Sequence, residues 1–335
     1  MPTFAKGNQA DLISFDPSSV GLSQESYPVE RYAPIAFLGD TARATTILCR
    51  DRQRGSKVAV KCFKRILPAQ RSIFESEVHK NKELNHTSIA KIVDYGFHNN
   101  KAPYVVSEYK DGFNIEQCLA IYGTPSHDVA IKILIGVCES LVYALKQGVM
   151  HRDIRPGNII FLDDMNSEPS VAVLDFAMPK IKAAEPLTDV RDTQYITGDE
   201  ARNLEYDERS EVYGVGSVGY TLLTARPPFT KGSALEIKND HALVLAPRIT
   251  DVKFDNTRPK ELEEIVERCM EKDPRYRFLT VQDLKDRLEV FPNRARMRIA
   301  KLLSARQQKK IAMIAGGVIA AIALCAGALA LLGHH

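Results

Sequence analysis

Two carboxylates and a carboxamide at defined spacing are the residues best placed to do chemistry in this chain. The run His151-Arg152-Asp153-Ile154-Arg155-Pro156-Gly157-Asn158 is followed, after sixteen residues, by Asp175-Phe176-Ala177. Asp153 and Asn158 stand five apart on what reads as a short loop, and Asp175 closes the apolar, strand-like run Val171-Ala172-Val173-Leu174. Hard oxygen ligands of this kind suit magnesium and the phosphates it bridges, while a second carboxylate can orient an attacking hydroxyl. The spacing therefore predicts a site for phosphoryl transfer.

In order and spacing these residues resemble the catalytic loop H-R-D-L-x-x-x-N and the metal-binding motif D-F-G of eukaryotic-like protein kinases, and in particular the bacterial membrane-anchored serine/threonine kinases. The resemblance extends upstream. Val58-Ala59-Val60-Lys61 looks like the strand whose lysine meets the α and β phosphates, and Glu77 matches the helix glutamate by its spacing to Leu84-Asn85-His86. The family likeness implies an α+β, bilobal fold with a β-rich small lobe and a mostly helical large lobe. It implies ATP and magnesium (Mg2+) as cofactors and a protein as substrate. Asp153 is then expected to orient the substrate hydroxyl, a Lys61–Glu77 ion pair to position ATP, Arg155 to assist, and Asn158 and Asp175 to hold the metal. Leu38, Gly39, Thr46, Ala59 and Ile160 are expected around the nucleotide, with Glu108 and Tyr109 at the hinge after a small gatekeeper, Ser107.

Several positions depart from the family pattern. Of the phosphate-covering glycines only the first survives, in Gly39-Asp40-Thr41-Ala42-Arg43-Ala44-Thr45-Thr46, and glycine matters there because its missing Cβ lets backbone amides approach a phosphate. Asn81 places an amide where an apolar packing residue is expected, and Ala177 replaces the last glycine of D-F-G. Thr197-Gly198-Asp199 stands for A-P-E, with Asp199 expected to pair with Arg277, and Glu211 stands for a buried aspartate that braces the catalytic loop, its extra methylene expected to loosen that brace. Arg155 and Asp192 replace a lysine and a threonine, and a bidentate pair between them is expected to do the same work. Thr188 and Thr193 are candidate phosphorylation sites near Arg152. Two readings stay open: a membrane-anchored serine/threonine protein kinase, and a pseudokinase scaffold that keeps the fold but binds partners.

Alternating apolar patterns place the small lobe at residues 31–109, with a helix at 73–84 carrying Glu77, and helical patterns place the large lobe at 110–291. Ile131, Leu134, Cys138, Leu141, Val142 and Leu145 recur at helical spacing, and Gly148 is placed to stop that helix before the catalytic loop. Val212 to Leu223 and Leu262 to Met270 read as further helices. Residues 1–30, acidic and interrupted by Pro, Ser and Gly, read as a flexible leader.

Beyond the kinase-like part, residues 292–310 hold seven basic and no acidic residues, and Ile311 to Leu332 follows as 22 residues without a charge. That length suffices to span a bilayer, and the basic stripe predicts a single-pass protein with its kinase-like domain on the cytoplasmic side. Removing those seven charges from the formal net charge of +3 leaves −4 for the remainder, so the stripe suits anionic lipid headgroups and nucleic acid is an unsuitable partner. Gly317, Ala321 and Cys325 form a small-residue face that would allow a homodimer. Six cysteines without C-x-x-C pairing, and no apolar leader, point to a reducing compartment and away from zinc.

Overall fold

The structure, a computed structural model, describes residues 15–23, 26–41, 44–64, 70–98, 103–162, 170–176, 190–255 and 257–290. Among them, the small lobe is built from β1 (Tyr32–Asp40), β2 (Ala44–Asp51), β3 (Lys57–Phe63), α1 (Arg71–Lys82), β4 (Ile92–Phe97) and β5 (Pro103–Glu108). The strands form one antiparallel sheet in the order β1-β2-β3-β5-β4. Strand periodicity of two sorts its side chains to two faces. Ala44, Phe63, Ile92 and Val105 face α1 and pack with its Phe74 and Val78. Phe74 is the hub, meeting Phe63, Phe97 and Tyr95 nearly edge-on at 5.6, 5.4 and 6.4 Å between ring centres.

The other face carries Ile47, Cys49, Val58, Val60, Cys62 and Val106, a layer that needs a cover of its own. Residues 15–23 and 26–30 supply it, which corrects the reading of these residues as part of a flexible leader. Asp16 caps a short 3-10 turn, Pro17–Val20, by accepting from the Ser18 amide. Leu22 and Tyr27 are then buried against the sheet, with Phe15, Val20 and Val29 at the margin. The physical reason is the two-sided apolar pattern of β2 and β3: a sheet with α1 on one face alone would leave the second face wet. Residues 1–14, the remainder of the expected leader, lie outside the described residues.

The large lobe continues with β6 (Phe113–Asn114), α2 (Ile115–Tyr122), α3 (His127–Lys146), β7 (Ile159–Leu162), β8 (Ser170–Val173), α4 (Val190–Thr193), α5 (Gly198–Ala201), α6 (Glu208–Thr224), α7 (Ala234–Leu243), α8 (Ile249–Val252) and α9 (Lys260–Cys269). Its small antiparallel sheet, β6-β7-β8, lies where the cleft needs a floor. Helix α3 buries the predicted stripe of Ile131, Leu134, Cys138 and Leu141, and Gly148 takes a left-handed φ of 72° just after it. Helix α6 begins four residues before the predicted start, because Asp207 and Ser210 form a capping box that apolar periodicity does not reveal. It runs through the centre of the lobe, and Gly216 lets α9 lie against it: a Cβ there would meet the Cys269 Cβ at 2.5 Å. Two backbone bonds tie the segment leaving α1 to the floor, Ala90 N to Val173 O at 3.0 Å and Val173 N to Ser88 O at 2.8 Å.

Among the described residues no helix is long and apolar enough to cross a membrane. The span expected at Ile311 to Leu332 and the basic stripe before it lie outside the described residues.

The packed strap makes a measurable difference to stability. Tyr27→Ala is expected to lower the unfolding free energy by about 3–5 kcal/mol in chemical denaturation, as large-to-small core changes do, whereas a mobile leader would tolerate it within about 0.5 kcal/mol. The Tyr27 hydroxyl is buried with no hydrogen-bond partner among the described residues, so Tyr27→Phe should be neutral or stabilising.

Candidate active site

The catalytic loop is held from beneath. His151 is fully buried, which lowers its tendency to protonate, and both ring nitrogens are used in the neutral form. Its Nε2 donates to Leu174 O at 2.6 Å and its Nδ1 accepts from the Asp153 amide at 3.1 Å. The ring also packs on Phe176, with centres 4.5 Å apart. One histidine thus joins the loop carrying Asp153 to the strand end carrying Asp175.

Arg152 and Asp175 both adopt positive φ, 70° and 61°, a region that non-glycine residues occupy only when their surroundings impose it. For Arg152 the brace is Glu211, in the first turn of α6, whose Oε1 accepts from the Arg152 amide at 3.0 Å. The extra methylene relative to aspartate therefore does not release the loop; the longer side chain is accommodated wholly in the interior, with no exposure. Burial pushes the Glu211 carboxyl up to about 7, against the pull of the amides of Arg152 and His151.

Asn158 ends a short 3-10 turn, Pro156–Asn158, and gives its amide protons to Asp153, through Nδ2 to the main-chain oxygen at 2.9 Å and to Oδ2 at 3.1 Å. With the donors committed, its carbonyl oxygen is the end left for a cation. Its main-chain oxygen accepts from Leu174 N at 2.8 Å, so the residues before Asp175 are fastened to the same turn. Burial would raise the Asp175 carboxyl, yet the Lys61 ammonium beside it, its hydrogen bond, and the charge of Arg155 hold it below the ordinary aspartate range. An ionised carboxylate and a free amide oxygen at one place fit a hard dication that also takes phosphate oxygens.

Lys61 departs from expectation. Its Nζ lies 2.8 Å from Asp175 Oδ2, while Glu77 pairs one turn along its own helix with Lys80 Nζ at 3.7 Å. The expected Lys61–Glu77 ion pair is thus replaced by Lys61–Asp175, because the left-handed backbone of Asp175 presents its carboxylate to β3 at hydrogen-bonding distance. Arg155 also differs in detail from expectation. It approaches Asp192 at 3.8 Å through a single nitrogen, so the two form an ion pair but not a bidentate one. Arg155 Nε and Asp192 Oδ2 are buried without hydrogen-bond partners among the described residues. Burial would weaken the guanidinium, but the carboxylates of Asp153, Glu116, Asp192 and Asp175 secure its proton.

A cleft of about 800 Å³ opens above these groups. Leu38, Gly39, Thr46, Ala59, Lys61, Glu108, Tyr109 and Ile160 all line it, as do Ser107, Asp153, Arg155, Asn158 and Asp175. Over it, the turn that keeps only the first glycine is flanked by side-chain bonds: Thr41 Oγ1 donates to Ala44 O at 3.2 Å, and Thr45 Oγ1 to Asp40 Oδ1 at 2.6 Å. Ala42, Arg43, Ala177 and Thr188 lie outside the described residues. Thr193 is 1 % exposed and donates to Val190 O at 2.9 Å, so its hydroxyl is sequestered; the Arg152 guanidinium stacks on Tyr206, 5.1 Å from the ring centre. Asp199 and Arg277 form the expected pair, fully interior and doubly bonded at 2.5 and 3.2 Å, with Ser210 Oγ donating to the same carboxylate at 2.8 Å.

Glu116 escaped the sequence reading. It lies in the first turn of α2, behind the Asn114 cap, and lines the cleft beside Arg155. A capping box places that helix start, but nothing local signals that its glutamate faces a site assembled about forty residues later.

A β-rich small lobe closing over a helical lobe, with lysine, aspartates and asparagine meeting in the cleft between, is the architecture of the protein kinase class. The chain belongs to that family: residues 32–288, more than half of its length, match the protein kinase domain. It is 30 % identical over 282 residues to a probable serine/threonine-protein kinase PknB of Bifidobacterium longum, covering 78 % of this chain and 40 % of that protein. It is 26 % identical over 308 residues to serine/threonine-protein kinase PknB of Mycobacterium tuberculosis, covering 88 % and 48 %. A probable serine/threonine-protein kinase of Streptomyces coelicolor is 28 % identical over 271 residues, covering 77 % and 39 %. The chain thus spans less than half the length of these relatives. Its fold is similar to that of Rad53 residues 1–466 in complex with AMP-PNP, with a TM-score of 0.63, 20 % identity, and coverage of 78 % of this chain and 65 % of that one.

The buried Glu211 yields a pH signature. Its folded pKa of about 7 lies above the ordinary 4.5, so the native state binds the extra proton and this group's contribution to stability is lost as pH rises from 4.5 through 7. The expected loss is on the order of 3 kcal/mol. Denaturation at pH 5 and pH 8 should show Glu211→Gln, which keeps an acceptor for the Arg152 amide, with that part of the slope removed; an unchanged slope would place the titration elsewhere.

Proposed function

We propose that this chain is a membrane-anchored serine/threonine protein kinase that transfers the γ-phosphate of ATP to protein hydroxyls. The observation that carries the reading is the meeting of Lys61, Asp153, Asn158 and Asp175 at the floor of one cleft of about 800 Å³. Asp153 Oδ2 is occupied by the Asn158 amide, which fixes the carboxylate plane and leaves the other oxygen to orient a substrate hydroxyl and accept its proton. Asn158 and Asp175 would hold magnesium, which when bound supplies positive charge to the phosphate oxygens. Lys61 stands ready for the phosphates beside Asp175. Arg155, kept charged by four neighbouring carboxylates, steadies the Asp153 carboxylate by its charge. Adenine would lie between Leu38, Ala59 and Ile160, with the main chain of Glu108 and Tyr109 at the hinge.

Membrane attachment rests on residues 292–332, a basic stripe followed by 22 uncharged residues. The full chain should float with uncharged phosphatidylcholine vesicles on a density gradient in high salt, where the basic stripe has nothing to bind, and a chain ending at residue 310 should not; equal flotation would remove the anchor from the proposal.

A pseudokinase scaffold is the second reading, favoured by the pairing of Lys61 with Asp175 in place of Glu77. The full chain in detergent, with labelled ATP, magnesium and a generic protein substrate, separates the two. Asp153→Asn should lower phosphate transfer by about 10² to 10⁴, the usual contribution of a positioned base. Equal incorporation by both proteins would end the kinase reading, and ATP binding that persists without transfer would select the scaffold.

A further inference from the structure

Helix α1 presents Phe74 and Val78 to the sheet, and the next residue on that stripe is Asn81, 2 % exposed. A buried amide must find partners or lose its hydration uncompensated. Asn81 Nδ2 donates to the main-chain oxygen of Phe176 at 2.6 Å, across 95 residues of sequence, while its Oδ1 is buried with no hydrogen-bond partner among the described residues. An amide satisfied at one end only is a poor choice for filling a core, so what it contributes lies in the bond it does make.

That bond reaches a strained backbone segment of the cleft. Asp175 is held at φ 61°, and its neighbours on both sides are tethered by their main-chain oxygens: Leu174 O by His151 Nε2, and Phe176 O by Asn81 Nδ2. The first tether belongs to the catalytic loop, the second to the helix that carries Glu77. We infer that Asn81 is a positioning residue, a latch that fixes the Phe176 carbonyl, keeps Asp175 before it in its left-handed conformation and ties the segment to α1, so that the Asp175 carboxylate stays aimed into the cleft. An apolar side chain at this place could pack against Phe176 but could not fix the direction of its carbonyl. The metal-directed consequence of the latch rests on the proposed function; the latch itself does not.

The test uses the full chain in detergent, as wild type, as Asn81→Leu, which matches size and removes the donor, and as Asn81→Asp, which turns an acceptor toward the Phe176 oxygen. Without nucleotide, hydrogen exchange of a peptide spanning residues 174–176 should be about 10-fold faster in both variants, the equivalent of one hydrogen bond, with exchange in α3 unchanged. Wild-type exchange rates in Asn81→Leu would overturn the latch, and if that variant fails to fold, Asn81→Asp decides on the same measurement. ATP affinity is then measured with magnesium and with a chelator. A loss of about 10-fold confined to the magnesium condition supports positioning of Asp175; an equal loss in both overturns that role. If wild-type protein binds ATP no better with magnesium, the proposed function fails, while the exchange result still decides the latch.

Discussion

Holding Arg152 and Asp175 in left-handed backbone conformation is the constraint on which the rest of the cleft depends. Neither residue is glycine, so each position costs on the order of 1–3 kcal/mol that the surroundings must supply. The interior of the large lobe supplies it for Arg152 through the carboxyl of Glu211. For Asp175 the supply comes from three directions: Lys61 from the sheet above, His151 from the loop beside it, and Asn81 from α1. The strain and its supports turn four separate elements into one frame around the phosphate-facing groups.

The frame is polar where a simpler fold would be apolar, and its most deeply buried ion pair is well partnered. Asp199 and Arg277 are both interior, yet the carboxylate takes two guanidinium bonds and a serine hydroxyl. Removing one partner of such a pair strands the other charge, typically at about 3–5 kcal/mol, so these residues resist piecemeal change. Arg155 and Asp192 differ in kind. They attract one another at 3.8 Å but leave Nε and Oδ2 unbonded next to Asp153. Arg155 and Asp192 are thus only loosely bonded to one another, whereas the doubly bonded Asp199 and Arg277 are suited to hold a lobe together.

The departures from the family pattern sort the same way. Glu211 and Asp199 are altered in length, and the fold absorbs the change because both reach their expected partners. Gly39-Asp40-Thr41 loses glycines, and the turn is instead closed by Thr41 and Thr45 hydroxyls, a stiffer cover with less freedom to follow a phosphate. Lys61 alone exchanges its partner, and its place beside Asp175 means that whatever enters the cleft must compete with, or add to, that pair.

Much of the site was legible in the chain because its charged groups sit in short motifs whose order and spacing survive: Val58 to Lys61, His151 to Asn158, Asp175 to Phe176. Periodicity was enough to place α1, α3 and the strands, since those elements bury one regular face each. Four matters were decided only by tertiary structure. They are the choice of Asp175 over Glu77 by Lys61, the bond from Asn81 to Phe176, the arrival of Glu116 beside Arg155, and the burial of Tyr27 on the outer face of the sheet. In each case the partners come from elements distant in sequence, and an ion pair or hydrogen bond depends on distances of a few ångströms that no local pattern encodes. Residue type and spacing determined which chemistry the chain carries; packing determined which of those groups touch.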